Sequence, residues 1–396
     1  MYISKQMSAL QPSATVAFTE KAKALKQSGR DVIVLAAGEP DFTPPASVRE
    51  AVAKEALEGP TTYGPTAGYP EVREALAGYL ERSKGLKVTP DRIVFTNGAK
   101  HAIFNAASVL LDPGDEVILP SPYWVTYMAV IELLGGVPRI VEGKSRNGFK
   151  ITPDDLRSAI TDRTRCLIFN NPSNPSGAFY TADEVRAITG ICVEAGVAII
   201  SDEVYDEITY GGGPYLSPAA ISDEAADLTA LVGAFSKTYA MPGWRIGYLV
   251  GPQSWIKKVT SFQGQATHHP SALAQAAALA CIRCEEDFVG MMLKEFRKRR
   301  DYLLEAVRGI PGFRVDVPPE GAFYLMVDAS EAIAAVPDVN GDIEFAIWLL
   351  EEAEVGLVPG EVFGASGFLR ISYAASMEDL EKAVDKITGA LGRLGI

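Results

Sequence analysis

The chain has 396 residues, 47% of them apolar, which suffices for a large core and suits one large domain plus a smaller one with a cleft between them. Its net charge of −13 excludes the basic footprint that nucleic acid or an anionic membrane surface requires, so small-molecule chemistry is favoured. No run approaches the roughly 18 apolar residues of a membrane span, and the polar start Met1-Tyr2-Ile3-Ser4-Lys5-Gln6 lacks the apolar stretch of a secretory signal, so a cytoplasmic protein is expected.

In chain order, residues 1–44 have no partner strands nearby in sequence and are expected to lie against the smaller domain. Residues 45–293 are expected to form the large domain. There, short β-rich apolar runs at 92–95, 116–119, 139–141, 166–169, 198–200, 231–234 and 246–250 alternate with helical faces such as 102–111, 183–195 and 273–286. This pattern predicts an α/β fold with a mostly parallel seven-stranded sheet covered by helices. Cys281 and Cys284 have metal-like spacing but no second pair, and they fall in a helical run, so they are read as buried thiols rather than ligands. From 294 to 396 the texture changes to a charged helix at 292–307, then short strands and helices ending at 380–394, a smaller α+β domain.

Four loops that follow strands hold the chemically informative residues, and ligand sites in open α/β sheets lie outside the carboxyl ends of strands. Thr96-Asn97-Gly98-Ala99-Lys100-His101 opens a helix and offers backbone N–H groups to a phosphate, or is a tight turn with no ligand. Asn170-Asn171-Pro172-Ser173-Asn174-Pro175 is ordinary turn chemistry, or it fixes Asn174 as a donor at the cleft floor. Asp202 follows the apolar run Val197-Ala198-Ile199-Ile200, where a carboxylate is costly to bury unless a cation pairs with it; a protonated pyridine nitrogen is such a cation, and a helix cap or surface ion pair is the alternative. Lys237, in Ser236-Lys237-Thr238-Tyr239-Ala240-Met241-Pro242-Gly243-Trp244-Arg245, ends an apolar strand, with Arg245 suited to bidentate phosphate contact. A solvated lysine there is only a charge, whereas one forced to give up its proton traps carbonyls. A phosphate cradle, a carboxylate, amide and hydroxyl donors and a strand-end lysine together specify pyridoxal 5′-phosphate.

At this point the sequence resembles the fold-type I, class I aminotransferases, specifically the bacterial aspartate aminotransferase subgroup. The resemblance runs from Leu35-Ala36-Ala37-Gly38-Glu39-Pro40-Asp41-Phe42 to Gly367-Phe368-Leu369-Arg370-Ile371-Ser372-Tyr373. It implies that Lys237 is the Schiff-base lysine and Asp202 the partner of the pyridine nitrogen. Tyr205 and Asn174 are then contacts of the phenolic oxygen, and Trp124 the aromatic stacked on the ring. Gly98, Ala99, Lys100 and Arg245 match the phosphate site. The family commonly has serine or glycine three residues before the lysine, where this chain has Ala234; Ser236 is expected to compensate.

The resemblance further implies that Arg370 clamps the substrate α-carboxylate beside the Gly38 backbone and that Lys100 reads a distal carboxylate. Ser13 and Thr15 match a mobile segment that closes over that group, and Tyr63 matches a tyrosine reaching the phosphate of a neighbouring subunit, hence a homodimer with shared sites. The implied reaction is ping-pong transamination of aspartate with 2-oxoglutarate. Aromatic, alanine-type and prephenate aminotransferases and a β-eliminating lyase are same-fold alternatives. A cofactor-sensing transcription regulator is disfavoured by the acidic balance and by the lack of length before residue 30 for a DNA-binding module.

Overall fold

In the computed structural model, the described residues are 2–4, 7, 8, 10, 14–211 and 213–395. The strands are β1 (Ile33–Val34), β2 (Ile93–Thr96), β3 (Glu116–Ser121), β4 (Val137–Glu142), β5 (Thr164–Asn170), β6 (Ala198–Asp202), β7 (Thr229–Ala234), β8 (Gly247–Val250), β9 (Tyr324–Asp328), β10 (Val355–Gly356), β11 (Val358–Pro359) and β12 (Phe368–Ser372). Seven of them form the main sheet in the order β2-β8-β7-β6-β5-β3-β4, and each corresponds to one of the seven runs expected from the sequence.

Only β8 runs against the rest, pairing antiparallel with both β2 and β7. Its direction follows from its connection. Between β7 and β8 the chain makes only the four-residue helix Phe235–Thr238 and the 3₁₀ turn Pro242–Trp244, and neither is long enough to carry a parallel crossover. The other neighbours pair in parallel, their connections being long: the helices Val125–Leu133 and Ala182–Ala195 lead from β3 to β4 and from β5 to β6, and residues 203–228, with the short helix Asp223–Leu228, lead from β6 to β7.

Alternation along the central strands sorts side chains to the two faces. From β5, Cys166 and Ile168 join Ala102, Ile103 and Ala106 of the helix Ala99–Leu110, whereas Leu167 and Phe169 join Val185, Ile188 and Ile191 of the helix Ala182–Ala195. That second helix begins at a capping box, Thr181 with Glu184, and stops at Gly196 in the left-handed region (φ 65°). Full burial of each such aliphatic side chain contributes about 1.5–3 kcal/mol, so both faces of the sheet are held rigidly and its strand ends are fixed platforms.

A second sheet, β11-β12-β9, is antiparallel; in the sequence the long helix Phe288–Arg308 precedes it and the helix Met377–Gly392 follows it. The N-terminal segment joins these later elements: β1 pairs in parallel with β10, the Leu35 N–H donates to the Gly356 carbonyl at 2.9 Å, and the Ser372 N–H donates to the Leu35 carbonyl at 2.9 Å. Residues 36–39 are thereby laid against the C-terminal ends of the main sheet. Cys281 is buried in the helix Ala272–Ile282 with its sulfur 3.9 Å from that of Met241. No helix among the described residues is long and apolar enough to cross a membrane.

Candidate active site

The carboxyl ends of β2, β5, β6 and β7 open into one cavity of about 650 Å³. Its wall includes Gly38, Ala99, Lys100, Trp124, Asn174, Asp202, Tyr205, Ser236, Lys237, Arg245 and Arg370, so residues separated by more than 300 positions converge. Gly98 immediately precedes Ala99 and shapes the wall behind it. Tyr63 stands elsewhere: it is 88% exposed and its ring lies 5.4 Å from that of His268, away from the cavity of its own chain. Ser13 and the side chain of Thr15 lie outside the described residues, although the helix Ala14–Gln27 brings Thr19, Glu20 and Lys23 to the cavity mouth.

Lys237 projects from the one-turn helix that follows β7. Its amine donates to the Gly38 carbonyl at 2.5 Å. Burial pushes its pKa down to about 8; Glu39 opposes that shift, while Arg245 and Arg370 add to it. A substantial share of this amine is therefore neutral near physiological pH, the state that attacks carbonyls.

Asp202, at the end of β6, is buried. One carboxylate oxygen accepts from the Tyr127 hydroxyl at 2.6 Å and the other from the Val204 N–H at 3.2 Å. Burial raises its pKa to about 6 against those hydrogen bonds. No salt bridge reaches it among the described residues, so it faces the cavity as an acid in need of a cation.

Arg370, on β12, is 3% exposed and has no carboxylate partner among the described residues. One terminal nitrogen donates to Asn174 Oδ1 at 2.9 Å and the other to the Ala36 carbonyl at 2.7 Å, while its Nε has no partner. The guanidinium lies 4.6 Å from the Tyr324 ring centroid and 5.0 Å from that of Phe363. A buried cation solvated only by neutral oxygens and aromatic faces is a receptor for an anion. The Asn174 N–H donates to Asn170 Oδ1 at 2.8 Å, and Asn170 Nδ2 donates to the Asp202 carbonyl at 3.0 Å, so a chain of amides ties the arginine to the acid.

At the other end, Gly98 (φ 83°) precedes the helix Ala99–Leu110; its carbonyl accepts from the His101 and Ala102 N–H groups at 3.1 and 3.2 Å, which leaves those of Ala99 and Lys100 to face an anion. A Cβ on Gly98 would stand 2.8 Å from Arg245 Nη2, so the glycine lets the guanidinium close over the helix start. Among the described residues, Arg245 donates only to the Pro242 and Asn97 carbonyls, at 2.8 and 3.4 Å. Ser236 lines the same wall. Lys100 stands 5.1 Å from the Trp124 ring centroid, and burial with Arg245 nearby lowers its pKa. Tyr205 and Tyr324 share a hydroxyl contact of 2.8 Å.

The residues present therefore lack a carbonyl for Lys237, a cation for Asp202 and an anion at Arg245 with the helix start. Pyridoxal 5′-phosphate has an aldehyde, a basic ring nitrogen and a phosphate, so it fits on all three counts. Sequence reasoning did not single out Tyr127, Tyr324 or Asn170. Asn170 lies in a turn already noted and Tyr127 stands three residues after Trp124, whereas Tyr324 lies in no motif; nothing in the linear order marks Tyr127 as the donor to Asp202.

The family model described as "Aminotransferase class I and II" matches residues 30–387. The chain is 46% identical to the aspartate aminotransferase of Geobacillus stearothermophilus over 387 residues, covering 98% of each chain. It is 44% identical to a probable aspartate/prephenate aminotransferase of Aquifex aeolicus, again covering 98% of each. Among solved structures, the Thermus thermophilus aspartate aminotransferase with maleate superposes with a TM-score of 0.93 at 41% identity, covering 98% of this chain and 100% of that one.

Proposed function

Because the chain belongs to the class I and II aminotransferases, which use pyridoxal 5′-phosphate, we propose that it is a cytoplasmic aspartate aminotransferase that passes the amino group to 2-oxoglutarate by ping-pong turnover. The observation that carries this reading is a pair of cations, Arg370 and Lys100, lining one cavity with no carboxylate partner among the described residues. Two such cations suit a substrate with two carboxylates.

When bound, the cofactor supplies a carbonyl that takes up the amine and a ring that accepts electrons as the substrate Cα–H bond breaks. Arg370 binds the α-carboxylate through its paired terminal N–H groups, and Lys100 takes the distal carboxylate. Lys237, whose burial lowers its pKa to about 8 and so makes the neutral form more accessible, would move the proton at the substrate Cα as general acid/base. Asp202 holds a proton at the ring nitrogen, and Tyr127 keeps that carboxylate oriented. Asn174 accepts from Arg370 through its oxygen, which leaves its NH₂ to donate to the phenolic oxygen together with the Tyr205 hydroxyl. Trp124 stacks on the ring, and the Gly98-Ala99-Lys100 turn with Ser236 and Arg245 holds the phosphate. Ala234 contributes no hydroxyl there.

The partner is a second copy of the chain. The exposure of Tyr63, away from its own cavity, supports a role at the neighbouring subunit's phosphate. The units 1–44, 45–293 and 294–396 are proposed as N-terminal segment, large domain and small domain, supported by the pairing of β1 with β10.

Prephenate also carries two carboxylates and is the second reading, favoured by the likeness to the probable aspartate/prephenate aminotransferase of Aquifex aeolicus. A panel of amino donors with 2-oxoglutarate, and of aspartate or glutamate with prephenate, read by the new oxo or amino acid, separates the two. Aspartate with 2-oxoglutarate is expected to give the highest kcat/KM. Lys100→Ser is expected to raise KM for aspartate about tenfold or more while changing little for phenylalanine. Equal losses on both donors count against the assignment of Lys100.

A further inference from the structure

Behind the turn that carries Asp202 and Tyr205, on the side away from the cavity, the chain buries a second charged cluster that the reaction does not use. Lys84 ends the helix Pro70–Lys84, just before Gly85 in the left-handed region (φ 66°), and its side chain is 3% exposed. Its amine lies 2.6 Å from Glu203 Oε2 and also pairs with Asp206, whose side chains are 0% and 11% exposed. It stands 4.8 Å from the Tyr215 ring centroid. The second oxygen of Glu203 accepts from Ser201 Oγ at 2.9 Å and from Ser217 Oγ at 2.6 Å. Tyr79, Tyr248, Tyr215 and Glu207 also face this cluster, and Glu207 accepts from the Tyr79 hydroxyl.

The placement of the two carboxylates gives the cluster its meaning. Glu203 directly follows Asp202 and Asp206 directly follows Tyr205, and the Asp206 N–H donates to the Glu203 carbonyl at 3.2 Å to close the turn between them. One amine, supplied by a helix far away in sequence, thus fastens both ends of the segment whose other face presents the acid and the phenol to the cavity. Burying an ammonium between carboxylates is a poor way to gain stability, since apolar replacements of similar volume commonly do as well, and its best-attested use is to specify one arrangement.

We propose that Lys84 is a positioning residue that sets where Asp202 and Tyr205 stand against the cofactor. This rests on the reading of those two residues as cofactor contacts. Without the ammonium, two adjacent buried carboxylates repel, the turn opens, and the Tyr205 hydroxyl withdraws from the phenolic oxygen, while the site becomes more negative. Both effects favour the protonated form of the bound chromophore, so the pH at which its visible absorbance titrates rises.

The test is a spectrophotometric pH titration of the holoenzyme and of Lys84→Met, with cofactor Kd measured alongside. The titration midpoint is expected to rise by about half a pH unit or more in Lys84→Met and to return toward its original value in Lys84→Arg. If Lys84→Met does not fold, the double variant Lys84→Met/Asp206→Asn, which keeps the cluster's net charge and removes the repulsion, is titrated instead; loss of the fastening alone is then expected to raise the midpoint by a smaller amount. An unchanged midpoint in the folded variant overturns the role of Lys84 and leaves the transaminase reading intact. Absence of any visible band in the unsubstituted enzyme with cofactor overturns the reading on which the proposal stands.

Discussion

The lowered pKa of Lys237 is useful for chemistry and costly for folding. In the unfolded chain this amine titrates at its ordinary 10.5, and in the folded chain at about 8, so between those values the unfolded state holds a proton that the folded state has released. Stability of the cofactor-free protein therefore rises with pH from about 8 to about 10.5, and below 8 the folded state carries a cost on the order of 3 kcal/mol. Lys237→Met is expected to stabilise the cofactor-free chain at pH 7 by that order, with the gain vanishing by about pH 10.5. Urea denaturation of both proteins at pH 7 and pH 10 checks this, and a gain that does not shrink with pH would show that packing rather than charge is responsible. Lys237 and Asp202 were readable from the chain because a charge at the end of an apolar run is chemically expensive and calls for an explanation, whereas Arg370 was marked only by the family resemblance. Tyr127 and Tyr324 were not, because an aromatic within an apolar stretch has the same linear signature whether its hydroxyl faces a catalytic acid or another core group. Only the 2.6 Å contact across space tells them apart.

At the level of elements, the seven strands and the loops at their ends followed from alternation and punctuation, while the reversed direction of β8 did not. Parallel and antiparallel neighbours bury the same apolar faces, and what decides between them is the short connection through Lys237 and Trp244. The turn from β2 into the helix Ala99–Leu110 gives a second prediction. Gly98 has φ 83°, where side chains are strained, and a methyl there would collide with the Arg245 guanidinium. Gly98→Ala is expected to weaken cofactor binding about tenfold, measured by fluorescence titration, and also to destabilise the cofactor-free protein by about 1–3 kcal/mol, because φ 83° with ψ 168° is nearly closed to side chains. A loss confined to stability would mean that the glycine serves the turn and not the anion.

Across the whole molecule, the sequence readings of a cleft and of a shared site depend on long-range closure that no local pattern encodes. The exposed position of Tyr63 leads to a complementation experiment. Lys237→Ala chains and Tyr63→Ala chains are each expected to be weak or inactive as homodimers. Refolded together, they are expected to recover activity, because half of the sites in a mixed dimer combine an intact Lys237 with an intact Tyr63 from the other chain. No recovery in mixtures that sediment as dimers would remove Tyr63 from the neighbouring site.

The linkage of residues 33–36 to Gly356, Arg370 and Ser372 also bears on how the protein is made. The first forty residues leave the ribosome early, yet the strand they pair with and the guanidinium their carbonyl receives are translated near the very end. The segment bearing Gly38 therefore waits without these partners until they have been made, and its carbonyl is held against the reactive lysine only once both sides of that pairing exist. Cofactor capture thus reports that two stretches more than 300 positions apart have come together.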